Sequence, residues 1–380
     1  MLKTILMFIL VISSCQSIYA SYESAVETLI LPFGARTTGM GEVGTALADD
    51  ESVLFWNPAG LGVENKSWHR GAASLSFEPL LPAFKLRDRW HATLSGCYQF
   101  PRNIGGFGTY YHHNNLGKSE WYNFDRGEGG NRWEGIWAAG WGCSLDKLGD
   151  STRYFGIALK PFVSVLFPSL GNHGEGTAQG FAIDFGYLRV LRNGLRFGLT
   201  LANMGPAIFY FDEKAKGPIP FTINTAIAFK RRVESGGIEK FRIAAEFRLS
   251  KELVVTHYDR NPDPFFKAFF TEWGDNPFSQ EVREIAINTG MEMWFIERFG
   301  FRQGFLWDKN NSRIEWHHGV GINLSRYIRG DWSYIYAPEG FMRKLAMRYD
   351  EHFNGATGIQ DGQWQLTITV EALSGWKSGK

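Results

Sequence analysis

The sequence predicts an all-β protein, a transmembrane antiparallel β-barrel of about 14 strands with an N-terminal segment folded into its lumen as a plug. Three observations predict this fold. Segments in which apolar and polar residues alternate fill the chain after residue 70, and the connections between them are alternately short and long. Aromatic residues, 16% of the 380 residues, gather near the ends of these segments, as at the two surfaces of a membrane.

Residues 1–20 are predicted to be a signal peptide, so the chain is expected to be exported. Met1 to Lys3 form a short basic head, Thr4 to Ile12 form an apolar run too short to span a bilayer, and a cleavage site ends at Ala20. The residues that precede Cys15 also resemble a lipoprotein box. Processing at Cys15 therefore stays open as an alternative.

Composition excludes two broad classes of protein. No internal stretch reaches the roughly 18 consecutive apolar residues of a membrane helix, which excludes a helical membrane protein. Of the 40 basic residues, Lys3 leaves with the signal peptide, so 39 basic residues face 39 acidic ones. Because the charges balance, no overall field attracts nucleic acid, and no nucleic-acid partner is expected.

The clearest strand pattern runs from Trp90 to Phe100. Its even-numbered residues are mainly apolar and its odd-numbered residues are mainly polar, and such a period of two predicts a strand with one apolar and one polar side. The same alternation recurs at 241–249 and 363–373. The predicted strands are 71–78, 89–100, 104–112, 132–145, 153–165, 180–190, 194–203, 221–232, 239–249, 284–296, 299–307, 315–326, 330–337 and 363–373.

The connections between predicted strands fall into two classes. Links of two or three residues, such as 101–103 and 191–193, alternate with long ones. This is the topology of an outer-membrane barrel with short periplasmic turns and long outer loops, and a soluble β-sandwich or propeller would not require it. Residues 341–353 could form a further strand or a short loop helix. The long connections are 113–131, 166–179, 204–220, 250–283 and 338–362.

Tryptophan and tyrosine residues near strand ends are expected to form aromatic girdles at the two membrane interfaces. Some of them could instead be core residues. They are Trp90, Tyr98, Trp133, Trp141, Tyr154, Trp294, Trp307, Trp316, Tyr327 and Trp332.

The stretch from Gly34 to Leu61 departs from the strand pattern. Its glycines permit tight turns and close backbone approach, three acids follow one another at 49–51, and Asn57–Pro58 supplies turn chemistry. We interpret it as the core of a lumenal plug. The residues of this predicted plug motif are Gly34, Arg36, Gly39, Gly41, Asp49, Asp50, Trp56, Asn57, Pro58 and Ala59.

The predicted division of the chain is a signal peptide at 1–20, a plug segment at 21–70 and a barrel at 71–380. Inside the barrel, the acids at 49–51 are expected to face inward-pointing arginines such as Arg196, Arg242 or Arg248.

No pattern of catalytic or ligand-binding residues stands out. Residues 39–44 match GxGxxG, but a nucleotide-binding fold needs alternating strands and helices, and no GxSxG or HExxH motif is present. The pairs His112–His113 and His317–His318 lack carboxylate or thiol partners at ligand spacing, so we interpret them as solvated loop residues. We therefore expect a protein that is not an enzyme and has no catalytic residues, metal or cofactor.

Residues 33–61, with GAR, GMG, ADD and WNPAGL, resemble the N-terminal signature of the PorV/PorQ family, outer-membrane proteins related to the FadL long-chain fatty-acid transporters. Further similarity lies in 174–186, 194–206 and 218–221. The resemblance covers the N-terminal two-thirds of the chain, and beyond about residue 250 only the strand rhythm matches.

This resemblance implies a fourteen-stranded barrel with a lumenal plug in the bacterial outer membrane. It implies a shuttle or adaptor of a type IX-like secretion system, whose partners are outer-membrane lipid, a translocon barrel and cargo proteins with a C-terminal signal domain. The alternative is a FadL-like transporter of long-chain fatty acids or other hydrophobic molecules, whose partner is a hydrophobic small molecule.

Two long connections carry aromatic residues that suit either function. They could contact cargo, line an apolar binding site for lipid, or pack on one another to order their own loops. These candidate contact residues are Phe209, Tyr210, Phe211, Phe265, Phe266, Phe269 and Phe270.

Overall fold

A computed structural model describes residues 24–63, 71–80, 88–100, 104–118, 130–146, 152–167, 176–211, 216–235, 238–257, 261–308, 313–325, 327–337 and 362–372. The predicted signal peptide with Cys15 and the stretch 341–353 lie outside the described residues.

Fourteen strands of the described chain form one closed antiparallel barrel. Each strand pairs with its neighbours in sequence, and β1 closes the barrel by pairing with β14. The strands are β1 (Gly71–Pro79), β2 (Trp90–Phe100), β3 (Gly105–Lys118), β4 (Asn131–Ser144), β5 (Arg153–Phe167), β6 (Gly176–Val190), β7 (Leu195–Met204), β8 (Thr222–Ser235), β9 (Ile238–Glu252), β10 (Ala286–Phe295), β11 (Phe299–Asp308), β12 (Arg313–Asn323), β13 (Ile328–Tyr336) and β14 (Trp364–Ala372).

The fold confirms the fourteen strands predicted from sequence, with small differences at their ends. The largest extensions are in β3, which continues to Lys118, and in β6, which begins at Gly176. Both lie at the long-loop side, where pairing with a neighbouring strand prolongs the extended backbone beyond the clear alternation.

Side chains alternate between an apolar outer surface and a polar interior, as the period of two requires. Closing the sheet leaves no unpaired edge and aims every second side chain inward. Exposed apolar residues of the outer face include Leu75, Leu94, Trp137, Leu159, Ile227, Phe247, Phe301, Trp332 and Ile368. Buried polar residues of the strands include His91, Glu134, Lys160, Asp184, Glu246, Glu292, Arg302, Asp331 and Gln365.

Trp294 does not belong to a membrane-interface girdle, so the prediction for this residue is wrong. Its side chain is buried, and the guanidinium groups of Arg242 and Arg302 lie 5.2 and 5.5 Å from its ring. Its position in β10 points it inward, which the proximity of the strand end in sequence does not reveal.

Helices are short and lie outside the strands. In the N-terminal segment they are α1 (Ala35–Gly39) and α2 (Val53–Trp56), with 3₁₀ turns at Glu27–Leu29 and Pro58–Gly62. Between β9 and β10 lie α3 (Phe265–Thr271), a 3₁₀ turn at Glu272–Gly274 and α4 (Phe278–Glu281). Among the described residues, no helix is long and apolar enough to cross a membrane.

Candidate functional site

The N-terminal segment, residues 24–63, packs against the inner face of the barrel and is almost entirely buried. Helix α1 contacts β11 to β14, whereas the 3₁₀ turn Pro58–Gly62 contacts β2 to β6. The segment therefore touches opposite parts of the wall, and every residue of the predicted plug motif lies within it.

Gly41 lies so close to the wall that no side chain fits. Its φ is 76°, and a Cβ there would lie 2.8 Å from both the Phe305 nitrogen and the Thr289 carbonyl oxygen. On the wall, a Cβ on Gly304 would lie 2.0 Å from the Gly41 nitrogen. Because backbone atoms stand on both sides, no rotamer change could relieve the clash.

Arg36 joins the acids of the segment to the wall. Its Nη1 donates to Asp49 Oδ1 at 2.8 Å and to Asp50 Oδ2 at 3.0 Å. Its Nε and Nη2 donate to the two carboxylate oxygens of Glu292 on β10 at 2.9 and 3.1 Å. The planar guanidinium thus holds three buried carboxylates.

The same network continues around the wall and returns to the segment. Arg302 donates to Glu292 at 2.8 Å and to Asp331 at 2.7 Å. Arg329 donates to Asp331 at 2.7 Å and to Glu51 at 2.8 Å. We call this set the Arg36 network; its members are Arg36, Asp49, Asp50, Glu51, Glu292, Arg302, Arg329 and Asp331.

Asp49 also contacts basic residues of β7 and β8. Lys230 donates to its Oδ2, and Arg196 Nη1 lies 3.8 Å from the same atom. Burial disfavours the charged carboxylate, but attraction to Lys230 and Arg36 outweighs it and holds the pKa of Asp49 well below its usual value. Asp49 is therefore ionised at neutral pH.

Two predicted arginine partners of the acids pair elsewhere. Arg242 Nε lies 3.5 Å from Glu239, and Arg248 donates to Asn288 at 3.1 Å. Arg242 still interacts electrostatically with Asp49, but it forms no ion pair with the acids at 49–51 among the described residues. The expectation for Arg248 is wrong, because the inward face of one strand spans several levels of the lumen and the sequence does not fix the level.

Asn57 holds the turn that follows α2. Its Nδ2 donates to the carbonyl oxygens of Thr45 at 2.8 Å and Tyr187 at 3.1 Å, and its Oδ1 accepts from the Ala59 nitrogen at 3.0 Å. Pro58 occupies the first position of the 3₁₀ turn, where its missing N–H costs nothing. The side chain thus fixes the turn and its place on the wall together.

Glu246 on β9 binds the segment in a way that the sequence does not reveal. One carboxylate oxygen accepts from the backbone nitrogens of residues 44 and 45, and the other accepts from those of residues 46 and 47, at 2.7 to 3.1 Å. Consecutive backbone N–H groups that converge in this way form an anion-binding concavity. The carboxylate of Glu246 therefore fills a site built from main chain.

A cavity of about 190 Å³ lies beside the segment. Apolar residues of the segment, including Leu29, Ile30 and Phe55, face one part of it, and Lys160 and Arg248 of the wall also line it. Each cation lies over an aromatic ring, Lys160 at 5.7 Å from Phe55 and Arg248 at 5.0 Å from Trp56. Six carboxylates also line the cavity and outnumber its three cations, so it is polar on one part and apolar on another; they are Glu42, Glu252, Glu272, Asp275, Glu284 and Asp308.

Two hydrogen-bond donors at this cavity have no partner among the described residues. They are Nε of Arg248 and Nε1 of Trp56, which are both buried. Buried polar atoms are rarely left unsatisfied in native proteins. Both donors are therefore available to a molecule with acceptor atoms.

The ladder between β6 and β7 ends early beside the cavity, and the chain after β7 continues against β6, where a Cβ on Gly205 would lie 2.3 Å from the Phe181 oxygen. The pairing of the two strands ends at Ile183 and Met204, while β6 extends to Gly176. Asn203 stands at the irregularity with a φ of 62° and is held by Asp184, whose Oδ1 accepts from its backbone nitrogen at 2.7 Å. Residues 176–182 of β6 therefore have no ladder partner in β7 within the described chain.

The seven candidate contact aromatics divide into two groups. Phe265 and Phe269 pack on Phe221, with ring centroids 6.2 and 6.3 Å apart, and Tyr210 shares a hydrogen bond with Ser164 at 2.9 Å. The other four are exposed, and Phe270 is 76% exposed. These four are Phe209, Phe211, Phe266 and Phe270.

Carboxylates of the loop between β9 and β10 surround Lys251, which lies near the end of β9. Lys251 Nζ lies 2.6 Å from Glu272, 3.0 Å from Glu281 and 2.6 Å from Glu284. Burial raises the pKa of Glu272 to about 8, although Lys251 opposes that shift. Burial and Glu281 raise the pKa of Asp275 to about 6.

The histidine pairs are not loop residues, so that interpretation is wrong. His112 lies in β3 and His317 in β12, and both side chains are fully buried. His112 contacts His91, with Nε2 3.1 Å from Nδ1, and His91 in turn lies 2.9 Å from a carboxylate oxygen of Glu78. Strand alternation sends the first member of each pair inward.

Comparison with known proteins identifies only the fold. No family model and no curated protein matches the chain. The CymD monoaromatic hydrocarbon channel is 10% identical, with a TM-score of 0.50 over 90% of this chain and 97% of that chain. The toluene transporter TbuX of Ralstonia pickettii is 11% identical, with a TM-score of 0.46 over 89% and 97%. A FadL homologue of Pseudomonas aeruginosa is 8% identical, with a TM-score of 0.47 over 90% and 99%.

The closed fourteen-stranded sheet with its apolar outer face is the architecture of a transmembrane β-barrel. The CymD monoaromatic hydrocarbon channel shares this fold. The chain is therefore a fourteen-stranded β-barrel of the outer-membrane type.

Proposed function

We propose that the barrel carries across the outer membrane a small molecule with an apolar body and a polar group that accepts hydrogen bonds, and that residues 24–63 act as the plug. The observation that carries this proposal is the cavity beside the segment, where apolar side chains lie next to unpaired donors of Trp56 and Arg248. A molecule with both characters would satisfy the donors and cover the apolar side chains.

The size and place of the cavity support a small ligand. Its volume of about 190 Å³ is below the roughly 300–1,000 Å³ of pockets for drug-sized molecules. Ala202 and Asn203, next to the interrupted β6–β7 pairing, also line it. A lateral route through the wall at this point would lead a hydrophobic molecule from the cavity into the bilayer.

The similar solved structures support only the class of function proposed, which is transport of a small molecule. CymD and TbuX are named for monoaromatic hydrocarbons and toluene, but identity near one tenth does not transfer a substrate. The choice of a molecule with an acceptor group rests on the unpaired donors of Trp56 and Arg248 in this chain's own cavity.

Binding of two probes to the purified protein in detergent tests the proposal. One is toluene, and the other is acetophenone, an aromatic ketone of similar size whose carbonyl oxygen can accept a hydrogen bond, and calorimetry measures the binding of each. Ala202→Phe fills the cavity and should weaken the binding of both probes about tenfold or more. Ala139→Phe, on the exposed outer face of β4, should leave the binding of both unchanged. If neither probe binds, or if the two variants bind alike, the proposal is wrong.

Arg248→Ala separates the two kinds of ligand. Loss of a charged donor should weaken acetophenone binding about tenfold or more and leave toluene binding unchanged. If the variant weakens the binding of both probes equally, Arg248 supports the cavity and does not bind the acceptor group of a ligand.

A second candidate is the shuttle or adaptor role in type IX-like secretion. The observation that favours it is the exposed aromatic surface of the β9–β10 loop, where Phe266, Phe270 and Phe278 are 64%, 76% and 82% exposed. Clustered exposed aromatics on a polar surface suit a protein partner. A pull-down from outer membranes tests it: wild type should recover a translocon barrel or cargo, and Phe266→Ser with Phe270→Ser should not. Recovery of neither from wild type counts against this role.

A further inference from the structure

Three buried side chains from two distant parts of the chain bring their ligand atoms together. Glu42 comes from the N-terminal segment, and Glu315 and His317 come from β12, whose alternation directs both inward. The ligand atoms of all three lie within 4.8 Å of one another. Glu42 reaches this place with a φ of 60°, a left-handed conformation that is uncommon for a residue with a side chain.

His317 lacks hydrogen bonds in this arrangement. Its side chain is fully buried, and neither ring nitrogen has a hydrogen-bond partner among the described residues. Its Nε2 lies 3.3 Å from Oε2 of Glu315, a distance that brings the two groups together without a well-formed hydrogen bond. A buried imidazole whose Nδ1 has no partner and whose Nε2 has only this long contact costs free energy and is available to a ligand or an ion.

A guanidinium now lies between the two carboxylates. Arg313 Nη2 donates to Glu42 Oε1 at 2.6 Å and to Glu315 Oε2 at 2.9 Å. The Arg313 guanidinium is thus the closest cation to both carboxylates, while Arg248 also attracts Glu42. The Arg313 side chain is 19% exposed and lines the cavity, as does Glu42. The guanidinium thus has room to move away, and a cation can reach the carboxylates from the cavity.

We propose that Glu42, Glu315 and His317 bind a divalent transition-metal ion of the zinc type, which displaces the Arg313 guanidinium and fastens the N-terminal segment to β12. One imidazole and two carboxylates suit Zn²⁺ or Co²⁺, whereas Ca²⁺ and Mg²⁺ prefer oxygen ligands alone. Three protein ligands leave a fourth position for water or another donor from the cavity. This inference contradicts the expectation from sequence that no metal binds, and it does not depend on the transported molecule.

Metal titration of the whole protein tests this site. The protein, purified in detergent and stripped with a chelator, is titrated with Co²⁺ by visible absorption and with Zn²⁺ by calorimetry. Wild type should bind one equivalent, and His317→Ala and Glu42→Gln should each weaken it by tenfold or more. The matched control is His318→Ala, because His318 lies on the opposite face of the same strand and contacts Gln303 at 3.1 Å. Absence of binding, or equal binding by His317→Ala and His318→Ala, overturns the proposal.

Arg313→Ala gives a prediction of opposite sign, which a merely misfolded variant could not produce. Removal of the competing guanidinium should tighten Zn²⁺ binding by several-fold, because Glu42 and Glu315 then lose the cation that lies closest to both. In wild type, Zn²⁺ should also slow proteolysis of the N-terminal segment. If Arg313→Ala weakens binding, or if Zn²⁺ gives the segment no protection, displacement of Arg313 by a metal is refuted.

Discussion

The N-terminal segment meets the two halves of the barrel wall through different chemistry. Toward β3 to β6 the contact is apolar: Phe33, Leu54 and Leu61 belong to one buried cluster with Tyr110 and Ile136 of the wall. Toward β10 to β14 the contact is ionic and runs through the Arg36 network. The same segment is thus held by burial on one side and by paired charges on the other.

The apolar and the ionic contacts contribute differently to the stability of the segment and to its position on the wall. Apolar burial contributes about 25 cal/mol per Å² and tolerates small shifts of one surface over another. Buried charges gain little net stability, but each must keep its partners, since an unpaired buried charge is very costly. We infer that the apolar half supplies most of the adhesion, and that the ionic half fixes where the segment sits.

The largest expected effect comes from breaking the ionic half. Arg36→Ala leaves Asp49, Asp50 and Glu292 without their shared cation and should lower the free energy of unfolding by about 3–5 kcal/mol. Denaturant unfolding in detergent measures this loss. The control is Arg153→Ala, whose pair with Asp146 is solvent-exposed and should change stability little. Equal losses in the two variants would contradict a special role for the buried network.

A somewhat smaller loss is expected in the apolar half. Leu61→Ala removes a fully buried side chain and should cost about 3 kcal/mol through lost burial and the cavity left behind. The same unfolding assay should show a smaller loss for Leu94→Ala, since Leu94 is 60% exposed on the outer face. The apolar adhesion would be in doubt if Leu94→Ala proved the more damaging variant.

Close backbone approach gives the next effect. The double variant Gly39→Val and Gly41→Val places side chains against backbone atoms of Gly319 and Phe305, so the segment should leave the ionic half while the barrel still inserts. The backbone strain at Gly41 alone should lower the free energy of unfolding by more than about 1 kcal/mol. Limited proteolysis should cut the segment faster than in wild type.

The matched control for this double variant is Gly274→Val, because nothing lies within 4 Å of the position where its Cβ would stand. That variant should resemble wild type. If the double variant is also cut at the wild-type rate, close packing of the segment on the wall is not what these glycines provide.

The barrel could be predicted because its signal is local. A strand such as β2, predicted at 89–100 and observed at Trp90–Phe100, shows its alternation in its own residues. The extension of β3 to Lys118 depends on pairing with β4 instead, and its own residues there do not alternate clearly. Strand ends on the long-loop side were therefore the weakest part of the prediction.

The site was predictable only in part because its contacts join distant residues. The glycines, acids and Asn57 of the segment mark it as unusual. The alternation of a strand predicts which side chains point inward, but it does not predict how far along the barrel axis each one lies. For that reason the sequence did not reveal that Glu246 holds residues 44–47, or that His317 meets Glu42. A buried His with no local partner looks in sequence like a solvated one.

The smallest effect concerns a second charge cluster, in which acids outnumber the cation. Glu272, Glu281 and Glu284 share the single ammonium of Lys251, whereas in the Arg36 network several cations separate the acids. Burial raises the pKa of Glu272 from 4.5 to about 8, so the folded loop holds a proton that the unfolded loop releases. Asp275, with its pKa raised to about 6, behaves in the same way at lower pH.

The sign of the pH dependence follows from these shifts. A raised carboxyl pKa stabilises the folded loop fully below about pH 4.5, and that stability is lost as pH rises toward about 8. Hydrogen exchange of residues 265–284, corrected for intrinsic rates, should therefore quicken between about pH 5 and pH 9. Glu272→Gln should flatten this response and Glu234→Gln, at an exposed position, should not. Amides of the segment beside Asp49 should keep their protection throughout, because Asp49 stays ionised across that range. An unchanged pH response in Glu272→Gln would show that the loop is held by its aromatic packing on Phe221 instead of by this carboxylate cluster.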